Sequence, residues 1–131
     1  LIKKVDILFL NDEEARQLKK INDLEKIADI FLSYGPKAII IKKGSKGSLL
    51  AYKNHKIYIP VIKNISVIDP TGAGDSFAGG VLGYIAKNGV LNLKEAVKHG
   101  TSIASYTISG FGLENLSPVS NLQINERIKT I

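Results

Sequence analysis

DPTGAGDSFAGG, running from Asp69 to Gly80, is the stretch on which the reading of this chain turns. Its middle residues Thr71, Gly72, Ala73, Gly74 and Asp75 are expected to join a strand to the N-terminus of a helix. Unpaired backbone N–H groups and the positive end of the helix dipole favour an anion there, and glycine lets the backbone approach it closely. The plain alternative is a Gly-rich turn with Asp75 as N-cap, and an isolated GxG would deserve no more than that. Two nucleotide motifs fail on the residues. The P-loop pattern GxxxxGK[ST] is matched neither by KKGSKGS nor by TGAGDSF. The dinucleotide fingerprint would begin at Gly72 and Gly74 but meets Phe77 where its third glycine belongs, and Glu95 lies in a helix rather than at the ribose position.

Outward from that stretch, a helix is expected from about Ser76 to Asn88, with Ala78, Val81, Leu82 and Ile85 apolar and Gly89 closing it. The next starts at Asn92, capped with Glu95, and carries Leu93, Ala96, Val97, Gly100, Ile103, Ala104 and Thr107 on one face. A short last helix begins near Ser120. Upstream, Val5 to Leu10 reads as a buried strand that leaves Asn11 at its C-terminal end, followed by a charged helix. A second helix is signalled by Asn22 with Glu25, by Leu24, Ile27, Ala28, Phe31 and Leu32, and by Gly35-Pro36 as its stop. Strands follow at Ala38–Ile41, at SLLAY after the turn KKGSKG, and around Ile57–Ile59 after a tight turn at Lys53 and Asn54; these are expected to be partly antiparallel. Strands interleaved with helices predict an α/β fold with a mostly parallel sheet, whose ligands gather at the strands' C-terminal ends.

The 131 residues, 44% hydrophobic and 23% charged, suit one folded domain with one core, of cytoplasmic type. No apolar run reaches a membrane span, and LIKKVDILFL lacks a secretory cleavage site. Without Cys, any metal must be held by oxygen or His. Without Met, and with Leu1 on the approach to a strand, the chain is expected to be part of a longer polypeptide. A net charge of +6 raises nucleic acid as a partner, but Arg occurs only at Arg16 and Arg127, and no basic stripe interleaved with aromatics is present. His55 and His99 have no second ligand at metal spacing and are assigned nothing.

The string DPTGAGDSFAGG resembles the second signature of the ribokinase-like (PfkB) family of sugar and nucleoside kinases. NDEE, Asn11 to Glu14, is similar to the family's NxxE. KKGSKGS is similar to its strand-to-turn ATP segment, and GTSIASYTISGFG stands where the family has its adenine-flanking helix. The resemblance covers nearly the whole of residues 1–131. It implies the C-terminal, ATP-binding and catalytic portion of a Rossmann-like ribokinase fold, without the N-terminal half that brings most sugar contacts and the lid.

The resemblance further implies a transfer of the γ-phosphoryl of ATP to an alcohol of a sugar or nucleoside. Asp75 would be the general base beside the substrate hydroxyl, and the amides of Gly72, Ala73 and Gly74 the anion hole. Lys42, Gly44, Ser45, Lys46 and Gly47 would contact ATP, and Thr101 its adenine, although from the residues alone the lysines read equally as surface charge. Asn11 and Glu14 would help hold Mg²⁺ through water, while their spacing is also that of a capping box, and both roles can hold together. Asp69 and Thr71 would line a monovalent-cation site, for K⁺, if the family's variable potassium dependence extends here. The implied partner is a small-molecule sugar or nucleoside, with neither nucleic acid nor membrane, and a homodimer is left open. The segment alone is expected to be inactive. The competing reading is a non-catalytic nucleotide-binding or assembly module that keeps the ATP-side fold without a substrate side.

Overall fold

The computed structural model describes residues 6–131, so the expected strand start at Val5 lies outside the described residues. The chain forms two compact units that meet in sequence at Pro60 and Val61.

The first unit holds a four-stranded sheet, in the order β1 (Ile7–Asn11), β2 (Ala38–Lys42), β3 (Ser48–Tyr52) and β4 (His55–Ile59). Parallel pairing is confined to β1 and β2, and β2–β3 and β3–β4 are antiparallel. The sheet is therefore mixed rather than mostly parallel, and connection length explains it. Residues 43–47 and the pair Lys53–Asn54 are long enough only to reverse the chain, whereas the β1-to-β2 crossover carries α1 (Asp12–Lys19) and α2 (Leu24–Ser33). Both helices pack on one sheet face, where Leu10, Ala15, Leu24, Ile27, Ala28 and Phe31 meet Ile39, Ile41, Leu49 and Ala51. Ile39 with Ile41 and Leu49 with Ala51 point to that face by their period-two spacing, and the short turn at residues 43–47 sets the β2–β3 register at Lys42 opposite Ser48.

The cap of α2 differs from the expectation. Asp23, not Asn22, is the N-cap, accepting from the amides of Glu25 and Lys26. The buried repeat starts at Leu24, so the cap must be the residue just before it, and the Glu25 carboxylate instead accepts the Tyr58 hydroxyl at 3.0 Å.

The second unit is helical: α3 (Ala73–Asn88), α4 (Leu93–Thr107) and α5 (Asn121–Ile128). Contact between α3 and α4 is backbone-close at Gly80 and Gly100. A Cβ on Gly100 would lie 2.6 Å from both Phe77 O and Val81 Cγ2, and one on Gly80 would lie 2.9 Å from Gly100 Cα. Asn92 precedes α4 but makes no capping bond, because a 3₁₀ turn at Val90–Asn92 leaves it at φ −124°, ψ 60°, and Glu95 pairs with Lys98 at 3.3 Å instead. Ser120 and Gln123 cap α5 reciprocally. That helix is tied to α4 by Ser102 Oγ donating to Ile124 O at 3.0 Å and by Arg127 stacked 3.3 Å over the Tyr106 ring. No helix of the described residues is long and apolar enough to cross a membrane.

Candidate active site

In the first unit the expected nucleotide and metal residues collect at one end of the sheet. Because β1 and β2 run parallel, their C-terminal residues Asn11 and Lys42 are register partners, and NDEE and KKGSKG leave the sheet side by side. Asn11 Oδ1 accepts from the Glu14 amide at 2.7 Å, and Glu14 Oε2 accepts from the Asn11 amide at 2.9 Å. The capping box is real, and it leaves the second oxygen of the exposed Glu14 carboxylate outside that pair. In the turn, Lys43 N donates to Gly47 O at 2.7 Å, Gly44 sits at φ 56°, and Ser45 and Lys46 are exposed. Gly47, at φ 85°, has a packing reason to be glycine, since a Cβ there would stand 2.2 Å from Ile59 O. Lys42 is half-buried, and Lys43 Nζ lies 4.7 Å over the Tyr58 ring. Ser48, the next residue of β3, is buried with its hydroxyl unpartnered.

In the second unit, α3 begins three residues earlier than expected. Gly72 enters the helix at φ 78°, a left-handed conformation that a side chain disfavours, so the Gly-rich loop closes at once into the first turn. Gly72 rather than Asp75 is therefore the cap residue, and Asp75 projects from the first turn with its side chain exposed. Of the expected anion-hole amides, that of Ala73 donates to Pro70 O at 3.2 Å. Among the described residues no hydrogen bond is made by the amides of Gly72 and Gly74, nor by the amide of Asp75 itself. Uncommitted donors at the positive end of a sixteen-residue helix, with a carboxylate on the same turn, can take a phosphoryl group and orient a hydroxyl.

Asp69 Oδ1 accepts from the Thr71 amide at 3.0 Å, and that bond holds the Asp69 carboxyl below the usual carboxylate range. Thr101 lies mid-way along α4, half-buried, with its hydroxyl donated to Val97 O at 2.8 Å. Thr107, placed by the sequence only on the packing face of α4, proves to donate its hydroxyl to Ser76 Oγ at 2.8 Å, beside the Gly-rich turn. That contact joins two helices across 31 residues.

In the second unit the free amides suit phosphate oxygens. No group of three His, Asp or Glu side chains forms a metal cage among the described residues. Mg²⁺ held mainly by phosphates and water needs only one or two carboxylates, and Glu14 offers an oxygen.

Comparison with known proteins agrees. The family model described as pfkB family carbohydrate kinase matches residues 1–120. A nucleoside kinase of Methanocaldococcus jannaschii is 36% identical over 118 residues, covering 90% of this chain and 37% of that protein. A cytidine kinase of Thermococcus kodakarensis is 32% identical over 86% of this chain and 40% of its own length. The crystal structure of a ribokinase from Thermotoga maritima superposes with a TM-score of 0.83 at 31% identity, covering 98% of this chain and 43% of that one. The chain thus spans well under half the length of these relatives, and its α/β architecture with a mixed sheet is ribokinase-like. By the family model across residues 1–120, the chain belongs to the pfkB family of carbohydrate kinases.

Proposed function

We propose that this chain is the ATP-side, catalytic portion of a kinase that phosphorylates an alcohol group of a sugar or nucleoside. The observation that carries the reading is the exposed Asp75 carboxylate on the same helical turn as the uncommitted amides of Gly74 and Asp75. MgATP, when bound, supplies the γ-phosphoryl group. Asp75 accepts the proton of the acceptor hydroxyl and orients its oxygen for attack. The amides of Gly72, Gly74 and Asp75 donate to the phosphoryl oxygens. Transfer of this kind is mainly positioning and charge stabilisation, so donors fixed before the reaction are of most use. Ala73 contributes by locking the loop to Pro70 rather than by donating.

Lys42 and the turn Gly44, Ser45, Lys46 and Gly47 contact the nucleotide, with Thr101 on the adenine side. Asn11 and Glu14 hold the water shell of Mg²⁺, and Asp69 and Thr71 line a site for a monovalent cation such as K⁺. The acceptor class follows the relatives, which are described as nucleoside, cytidine and ribose kinases. The test is turnover of MgATP with ribose, fructose and cytidine by a polypeptide that carries this chain at the relatives' full length. Asp75→Asn is expected to keep ATP affinity and to lose about 10²- to 10⁴-fold in kcat. Turnover unchanged by that substitution overturns the assignment.

A further inference from the structure

We infer that Thr107 is a positioning residue for the phosphate-facing turn of α3, holding the free amides of Gly74 and Asp75 in place from the end of α4. The inference rests on the functional reading above and adds to it a residue to which that reading gives no role. Thr107 is buried, at 4% exposure. Its hydroxyl donates to Ser76 Oγ at 2.8 Å, and its approach to Ile103 O, at 3.4 Å, is the longer of the two contacts. Its methyl lies 3.9 Å from where a Cβ would stand on Gly72. One β-branched side chain, stiff at χ1, is therefore bonded to Ser76, whose amide makes the first helical bond back to Gly72 O at 2.9 Å, and its methyl borders the space beside Gly72, which caps the turn.

The following residue completes the grip. Ile108 O accepts from the amides of Ile68 at 2.8 Å and Asp69 at 3.2 Å, and Asp69 Oδ1 in turn holds the Thr71 amide. Residues 107 and 108 thus anchor the arm that enters the Gly-rich loop and the helix turn that leaves it. Such anchoring matters because the amides of Gly72, Gly74 and Asp75 make no bond of their own among the described residues, and glycine at 72 and 74 gives the backbone its widest freedom. Donors aimed at developing charge help only when their orientation is fixed in advance. Without its partner, the Ser76 hydroxyl would turn to a carbonyl of its own helix or to water.

The experiment measures MgADP binding to the 131-residue chain by calorimetry, together with the amide NMR signals of Gly74 and Asp75 in the free protein. Thr107→Val keeps the shape and removes the hydroxyl. We expect it to weaken MgADP binding about three- to tenfold and to shift or broaden those two signals. Ser76→Ala should give the same loss, and the double variant no further loss, because both remove one bond. Thr107→Ser should bring affinity back to within about twofold of the unsubstituted chain. A lowered Tm with unchanged affinity and unchanged Gly74 and Asp75 signals overturns the inference, as do additive losses in the double variant. Failure of the unsubstituted chain to bind MgADP overturns the functional reading itself, an outcome visible before any variant is made.

Discussion

His99 illustrates how much a single side chain reports. It is half-buried in α4, its ring 5.5 Å from that of Tyr84 on α3, and burial together with the nearby Lys87 ammonium pushes its pKa below the ordinary histidine value of 6.5. The folded chain therefore holds that proton less tightly than the unfolded chain. Above about pH 6.5 both states are neutral at this position and it contributes nothing to pH dependence. As pH falls below about 6.5 the unfolded state takes up the proton first, so stability declines until the folded pKa is reached. Thermal melts at pH values from about 8 to 5 should show that decline in the unsubstituted chain and a flatter profile in His99→Gln. An equal slope in both would place the titration elsewhere. Residue chemistry of this kind was only partly legible in the sequence. Asp75 and its glycines stood out as a string, whereas the bond from Thr107 to Ser76 depends on two helices meeting and left no trace in local pattern.

At the scale of elements, the packing of α3 on α4 is set by glycine. A Cβ on Gly100 would meet Phe77 O and Val81 Cγ2, each at 2.6 Å, and a backbone oxygen cannot step aside. Gly100→Ala must part the two helices and is expected to cost about 1–3 kcal/mol by urea denaturation. Gly79→Ala, on α3, where an added Cβ meets nothing within 4 Å, should instead stabilise by about 0.5–1 kcal/mol through helix propensity. Opposite signs for one substitution at two positions of one helix pair would establish that contact. The same elements account for what the sequence could and could not disclose. The short apolar runs AIII and SLLAY announced strands by lying between turn signals, and Leu24, Ile27, Ala28 and Phe31 announced α2. Caps were harder, because Asn22 and Asp23 are chemically alike and only the start of the buried repeat chooses between them. Asn92 failed as a cap through its backbone angles, which composition does not carry. The antiparallel pairs were legible in the short turns at residues 43–47 and 53–54, whereas the division at Pro60 follows from long-range contacts that no local signal encodes.

For the molecule as a whole, the revealing feature is the face of α3 that follows Asp75. Gly79, Leu82, Gly83 and Ala86 lie on it at helical spacing, all exposed, with no charged side chain among them. Leu82 alone is 50% exposed. A helix face of small and apolar residues suits close contact better than water, and it runs on from the proposed catalytic carboxylate. The relatives are more than twice as long as this chain, which covers 37% of the nucleoside kinase and 43% of the ribokinase. We therefore expect that, in a polypeptide of the relatives' length, the additional part of the fold lies against this face. Leu82→Lys separates the possibilities without an activity assay. In the 131-residue chain it is a surface change worth less than about 0.5 kcal/mol. In a polypeptide of the relatives' length it should cost several times more, on the order of 2–4 kcal/mol, because a covered ammonium has neither water nor a partner. Equal and small losses in both would mean that the face stays in water and that the remaining part of the fold packs elsewhere.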